Sequence, residues 1–233
     1  AIVLDPRNGD VLSMVSLPSY DNNLFAGGIS ASEYAQLTSD KNRPLVNHAI
    51  SGQYPPGSVF KIIPATALLQ EGVINRSTTL SCEGILYLPN RYFPDDPTKA
   101  QPFYCWYEWG HGPLNVIGAL VNSCDIFFYK AVGGFENFAG LGVERLAKYA
   151  RMFGFGARTG IQLPGEVAGL IPSEQWKRQN YAEPWTTGDT YNAAIGQGFV
   201  LASPLQVANS AAAVANGGTL YRPNLVHSIT DAK

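Results

Sequence analysis

The sequence predicts an α/β protein of the α+β kind: a largely helical body with a little sheet at its edge. Three observations predict it. "AIVLDPRNGDVLSMVS" (1–16) is two apolar runs around Asn8-Gly9, a strong hairpin signal. Several long segments carry helical apolar spacing with start and stop residues in place. The stretch 75–112, crowded with aromatics, follows neither period.

Taken in order, the hairpin comes first, and 17–57 is mostly loop. That loop is interrupted by "SASEYAQLT" (30–38), a short helix opened by Ser30. "SVFKIIPATALLQEG" predicts an apolar helix from Ser58 to Gly72. Residues 75–112 are expected to be irregular. "PLNVIGALVNS" (113–123) and "IFFYKAVGGF" (126–135) are helical on either side of Ser123–Asp125. "GVERLAKYARMFGFG" (142–156) is an amphipathic helix with a glycine stop. "ASPLQVANSAAAVANGG" (202–218) is a small-residue helix, with Ser-Pro at its start and Gly-Gly at its end. "TLYRPNLVHSI" (219–229) is expected to be extended.

Composition narrows the function. The 233 residues are 45% hydrophobic and 15% charged, enough for one well-buried domain or one domain with a subdomain. A net charge of −2 gives no footprint for nucleic acid or an anionic membrane. No apolar run approaches the roughly 20 residues of a membrane span, and no signal peptide is visible. The abrupt starts and stops at "AIVLD" and "HSITDAK" point to a piece excised from something longer.

"YPPGSVFK" (54–61) sets Ser58 at a helix start with Lys61 three residues on, where i and i+3 share a face. A serine hydroxyl is a poor nucleophile until a base removes its proton. A lysine amine serves only when burial or neighbouring positive charge favours its neutral form. The pattern S-x-x-K alone recurs by chance roughly once in a chain of this length. On that motif alone, Ser58 as a helix cap and Lys61 as a solvated side chain remains the open alternative. Ser123-Cys124-Asp125 shifts the balance, because a Ser-x-x-Lys site needs a second polar group from across its cleft.

The blocks "GQYPPGSVFK", "WGHGPLNVIGALVNSCDIFFY", "TGIQLPGEVAGLIPS" and "GDTYNAAIGQGFVLASPLQVANSAAAVANGG" are spread along the chain from Gly52 to Gly218. Through them the sequence resembles the transpeptidase domain of class B penicillin-binding proteins, most closely the elongation-type, rod-shape subfamily. The resemblance implies the penicillin-binding/serine β-lactamase-like fold over 1–233. It implies a serine acyltransferase that cross-links peptidoglycan stem peptides and is acylated by β-lactams. Ser58 would attack the penultimate D-Ala carbonyl, with Lys61 as base and Ser123 as the second-motif serine. It further implies an extracytoplasmic domain, membrane-anchored in the full-length protein, working with a rod-shape glycan polymerase.

Two departures bear on this. The usual asparagine of the second motif is Asp125 here. An ionised Asp125 against Lys61 favours the protonated lysine, so either Asp125 points partly away or the pair titrates together. The third motif, K-[ST]-G, is expected on a strand beyond Lys233. Arg158-Thr159-Gly160 mimics it but belongs to a different block and reads as a loop. With the C-terminal strands absent, the chain as given is expected to be inactive. Other fates of the same acyl chemistry are a D,D-carboxypeptidase, a β-lactamase or a β-lactam sensor; a non-enzymatic, zinc-stapled scaffold is the remaining alternative.

Three cysteines, Cys82, Cys105 and Cys124, cannot all pair. With His111 they form C-x22-C-x5-H-x12-C, a Cys3His set suited to closed, structural Zn2+. The resemblance adds that elongation-type relatives can carry a zinc site of carboxylate, Cys and His ligands in this region. The competing arrangement is a Cys82–Cys105 disulfide with Cys124 buried as a small hydrophobe. If 123–125 is extended, side chains alternate: Ser123 and Asp125 face the cleft, and Cys124 faces away into a metal site stapling residues 82–124. His48 and His227 show no acid partner, so a Ser-His-Asp hydrolase is poorly supported. Trp176, Trp185 and the aromatics at 103–109 read as packing.

Overall fold

The computed structural model describes residues 1–226 and 228–231. His227, expected in the terminal extended segment, lies outside the described residues. Along the chain run strands β1 (Ile2–Leu4) and β2 (Val11–Met14) and helices α1 (Ala31–Ser39), α2 (His48–Ser51) and α3 (Ile62–Gln70). Strands β3 (Leu80–Cys82), β4 (Ile85–Leu88), β5 (Gln101–Tyr104) and β6 (Gly112–Leu114) follow. Helices α4 (Val116–Val121), α5 (Asp125–Phe128), α6 (Val143–Met152), α7 (Glu174–Tyr181), α8 (Thr187–Ala194) and α9 (Pro204–Ala215) complete the order. The chain divides into two compact units.

The first unit comprises Ala1–Tyr54, Gly154–Gly169 and the described residues from Ala202 onward. Strands β1 and β2 form the expected hairpin, with Ile2 opposite Met14 and a register shift at Val3/Leu4. Its apolar face packs on Ala49, Ile50, Ile161 and Leu205. The sequence places α1 and α9 well. Ser30 caps α1 reciprocally with Glu33, and Ser203 and Gln206 do the same for α9, with Pro204 in the first turn. Arg158-Thr159-Gly160 is a loop, as expected. Thr159 and Gly160 donate their backbone N–H groups to the buried carboxylate of Glu166. The segment after Gly218 is a correction: Asn224 makes one isolated bridge, to Asp10, and no regular strand forms among the described residues.

The second unit, Pro55–Phe153 with Leu170–Leu201, holds the candidate site. The helix expected from Ser58 begins instead as a 3-10 turn, Gly57–Lys61, and becomes α-helical at Ile62. Ile63, Ala67 and Leu68 of α3 are buried. On α6, Val143, Leu146, Ala147 and Ala150 make one apolar face against α3. A fully buried aliphatic side chain of this kind is worth about 1.5–3 kcal/mol. After α5 the chain makes a π-helical turn, Tyr129–Gly133, against which α8 lies. The Tyr191 hydroxyl donates to Gly134 O at 2.7 Å and ties the two together.

The stretch 75–112 is more ordered than its sequence suggests. Strand β3 pairs antiparallel with β6, and β4 with β5. Residues 113–114 accordingly belong to β6 and not to the helix that follows. Strands of three or four residues are too short to show alternation. Pro102 and Pro113 sit inside them, which two-stranded edges tolerate.

Candidate active site and metal site

Ser58 lies exposed on the 3-10 turn, and Lys61 is buried beneath it. In a 3-10 turn i and i+3 eclipse, so the two stand on one edge, more closely aligned than on an α-helix. The turn is held from one side. Gly57 N–H donates to Gly196 O at 2.9 Å, with Gly57 at φ +62° and Gly196 at φ +70°. A Cβ on Gly196 would lie 2.5 Å from Gly57 O and 2.6 Å from Phe60 Cβ, so no other residue fits there without moving the turn.

Lys61 Nζ donates to Ser123 O at 2.7 Å, to Ser123 Oγ at 3.2 Å and to Asp125 Oδ1 at 2.5 Å. An ammonium has three donors, and these three acceptors account for them; Ser58 is not among the partners. Asp125 therefore does not point away. It is 9% exposed, and its other oxygen, Oδ2, accepts the Trp106 N–H at 3.1 Å. Ser58, Ser123 and Asp125 line one cavity of about 590 Å³ together with Tyr104, Trp106 and Gln197.

Local backbone explains the second motif. Helix α4 stops at Asn122, and Ser123 adopts a left-handed φ of +49°. Cys124 caps α5, its Sγ accepting the Phe127 N–H at 3.5 Å. The segment is thus a reversal between two helices and not the extended run expected. The outcome for direction is the same: Ser123 and Asp125 meet Lys61, and Cys124 is fully buried on the metal-ligand side.

The ligand atoms of Cys82, Cys105, His111 and Cys124 all lie within 4.8 Å of one another. All three cysteines are free, which removes the Cys82–Cys105 disulfide. His111 Nδ1 is 3.6 Å from both Cys82 Sγ and Cys105 Sγ. A tetrahedral ion with bonds of 2.0–2.3 Å needs ligand–ligand edges of roughly 3.5–3.8 Å, so the group fits a metal. The charges agree. The hydrogen bond from Cys124 pulls the Cys105 thiol down to about 4. That same bond, then burial, pushes the Cys124 thiol far up. Without a cation the pair keeps one proton; a second thiolate here needs positive charge beside it. Lys130 Nζ fixes the strand carrying Cys82, donating to Ser81 O at 2.8 Å and to Glu83 at 3.2 Å.

Sequence reasoning missed four contributors: the Trp106 amide, Gly196, Gln197 and Lys130. Gly196 and Gln197 sit in the "AIGQG" run, where the closely spaced glycines were the available signal. The aromatics at 103–109 also depart from the packing expectation. Phe103 is buried, but Tyr104, Trp106 and Trp109 are exposed, because β5 turns only Phe103 inward and Trp106 follows it into the cavity wall. His48 contacts Tyr54 Oη and Asn42 O, with no carboxylate, so no Ser-His-Asp set forms around it. Among the described residues no helix is long and apolar enough to cross a membrane.

A serine on the turn that leads into a helix, a buried lysine beneath it and a serine–aspartate pair across the cavity form a Ser-x-x-Lys arrangement, and the whole chain matches one family. Residues 1–233 match the penicillin binding protein transpeptidase domain, and the chain belongs to that family. It is 40% identical over 231 residues to the peptidoglycan D,D-transpeptidase MrdA of Haemophilus influenzae, covering 99% of this chain and 33% of that protein. PBP2 of Helicobacter pylori, solved in complex with MreC, superposes with a TM-score of 0.86 at 33% identity, covering 99% of this chain and 40% of that one. Penicillin-binding protein A of M. tuberculosis, solved as a penicillin G acyl-enzyme complex, gives a TM-score of 0.76 at 27% identity, covering 97% of this chain and 48% of that one. The chain spans about a third of the length of the curated relatives it matches.

Proposed function

We propose that this chain is the acyl-transfer part of a peptidoglycan D,D-transpeptidase of the elongation type. Residues 1–233 lie within the transpeptidase domain, with the segment at about 82–124 as a metal-stapled insertion. The observation that carries the reading is the convergence of Lys61 Nζ, Ser123 and Asp125 at one cavity that Ser58 also lines.

In this reading Ser58 Oγ attacks the carbonyl of the penultimate D-Ala, and Lys61, once neutral, takes its proton. Ser123 Oγ, 3.2 Å from Nζ, passes a proton toward the leaving D-Ala amine. The Ser58 backbone N–H and the start of the helix favour the negative charge that develops on the carbonyl oxygen. An amine of a neighbouring strand then takes the acyl group and frees Ser58. Asp125 holds Lys61 in place between turns of the cycle. β-Lactams acylate the same serine, as penicillin G acylates the M. tuberculosis relative.

Cys82, Cys105, His111 and Cys124 hold Zn2+ in a closed four-ligand set, which leaves no position for a reacting water and gives the ion a structural part. The full-length protein is membrane-anchored with this domain outside the cytoplasm, and works with a rod-shape glycan polymerase; a relative 39% identical, solved in a peptidoglycan synthase complex that coordinates polymerization and crosslinking, supports such a partner. The test is a D-Ala-D-Ala-terminated muropeptide incubated with full-length protein and an acceptor strand. Cross-linked dimer, with one D-Ala released per link, is the expected product. Release of D-Ala with hydrolysed peptide alone would make the protein a carboxypeptidase.

A further inference from the structure

A second cavity in the same unit, about 570 Å³, has no part in the chemistry described above. It opens between the 88–101 hairpin and the start of α8, and its volume is that of a ligand site. Two of its lining side chains are cationic, Arg91 and Lys99, and none is a carboxylate. Arg91 is exposed with no acid in ion-pair range among the described residues. Lys99 is half-exposed, with Asp96 3.6 Å away and the Phe93 ring beneath its ammonium. Trp185 forms a fixed aromatic wall, its Nε1–H bonded to Thr190 Oγ1 at 2.8 Å, and Gln101 adds a free amide. The floor is close-packed: a Cβ on Gly188 would lie 3.0 Å from Phe103 Cζ and 3.3 Å from Gln101 Oε1. An aromatic face, an amide and two cations, Arg91 among them with no acid partner, suit an N-acetylated sugar attached to a carboxylate-bearing peptide.

Position selects the occupant. Thr187 and Gly188, at the start of α8, line this cavity, while Ile195, just past its end, lines the cavity holding Ser58. Eight helical residues separate them by about 12 Å. An extended peptide of about four residues spans that distance, which is the reach from the acylated D-Ala back to the sugar end of a stem peptide. We propose that this cavity binds the sugar-proximal, carboxylate-bearing end of the donor strand whose D-Ala-D-Ala end reacts at Ser58; the assignment rests on the acyl-transfer reading above.

The experiment uses full-length protein in a Ser58→Ala background and measures binding of a soluble disaccharide-pentapeptide and of the pentapeptide alone. The disaccharide-pentapeptide is expected to bind more tightly. The double change Arg91→Glu, Lys99→Glu, at two exposed positions, is expected to weaken it about tenfold, while penicillin labelling of Ser58 in an otherwise native protein stays unchanged. Equal binding by the charge-reversed protein, no binding by its parent, or binding by these residues to phosphatidylglycerol vesicles in place of the muropeptide would each overturn the proposal. Absence of penicillin labelling in the native protein, with Ser58 present, would instead strike the acyl-transfer reading itself.

Discussion

Ser123, Cys124 and Asp125 show how three consecutive residues serve two sites. The left-handed Ser123 turns the chain so that its own oxygens and Asp125 Oδ1 reach Lys61, while Cys124 caps α5 and faces the other thiols. The sequence disclosed the residue types and the division of labour. It could not disclose the reversal, because a non-glycine residue at φ +49° has no local signature. Nor could it tell that all three lysine donors are taken, since that depends on side chains 62 and 64 residues away. Two outcomes are expected at this scale. Lys61→Arg keeps a cation but puts in a guanidinium that cannot be deprotonated to act as base, so acylation by a β-lactam should fall about 10²–10⁴-fold while the fold survives; stopped-flow acylation measures it. Gly196→Ala places a methyl against Gly57 O and Phe60 at a left-handed backbone position. It should cost about 2 kcal/mol or more of stability and, by shifting the nucleophile's turn, slow acylation about 100-fold. Acylation at the native rate would contradict the clamp.

At the scale of elements, the proposed metal staple would hold a segment, 82–124, whose sheets are too small to hold it alone. Its strands are three or four residues long and pair in twos, below what a sheet needs to stand alone. Strand β3 delivers Cys82, and the turn after β5 delivers Cys105 and then the Trp106 amide that holds Asp125. The cysteine–histidine set therefore bears on the lysine by two routes, Cys124 between Ser123 and Asp125, and Cys105 before the Trp106 that holds Asp125. Chelation, or Cys105→Ser, is expected to lower stability by about 3 kcal/mol or more, roughly 6–12 °C in Tm for a chain of this size. Hydrogen exchange should quicken across 80–114 while α3 stays protected. Elemental analysis should find about one zinc per chain, as a single closed site requires. Metal-free protein with unchanged exchange in 80–114 would refute the staple. The four ligands were legible because cysteine and histidine are rare and chemically committed. The β-pairs that carry them were not, because three-residue strands leave no period to read.

At the scale of the molecule, three helices were legible, α1 and α9 from their caps at Ser30 and Ser203-Pro204 and α6 from its apolar face, whereas α7 and α8 were not, although Ser173 and Thr186 cap them. The π-helical turn and its partner α8 were not, since their contact joins residues about 57 apart through Tyr191 and Gly134. That contact has a pH signature. Burial pushes the Tyr191 phenol up to about 12, and burial, with the Asp125 charge, raises Tyr129 also. The folded chain keeps these protons longer than the unfolded one. Stability should therefore be complete below pH of about 10, the ordinary tyrosine value, and decline as pH rises from there toward 12. Tyr191→Phe should shrink that alkaline decline while losing about 1 kcal/mol at neutral pH with its hydrogen bond to Gly134; denaturant titrations from pH 7 to 11 measure both. The central claim is that Ser58 carries the acyl group, and peptide-mapping mass spectrometry of full-length protein after penicillin G tests it most directly. The expected result is one adduct, on the peptide containing Ser58, absent in Ser58→Ala. An adduct on any other serine, or undiminished labelling of Ser58→Ala, would contradict the account.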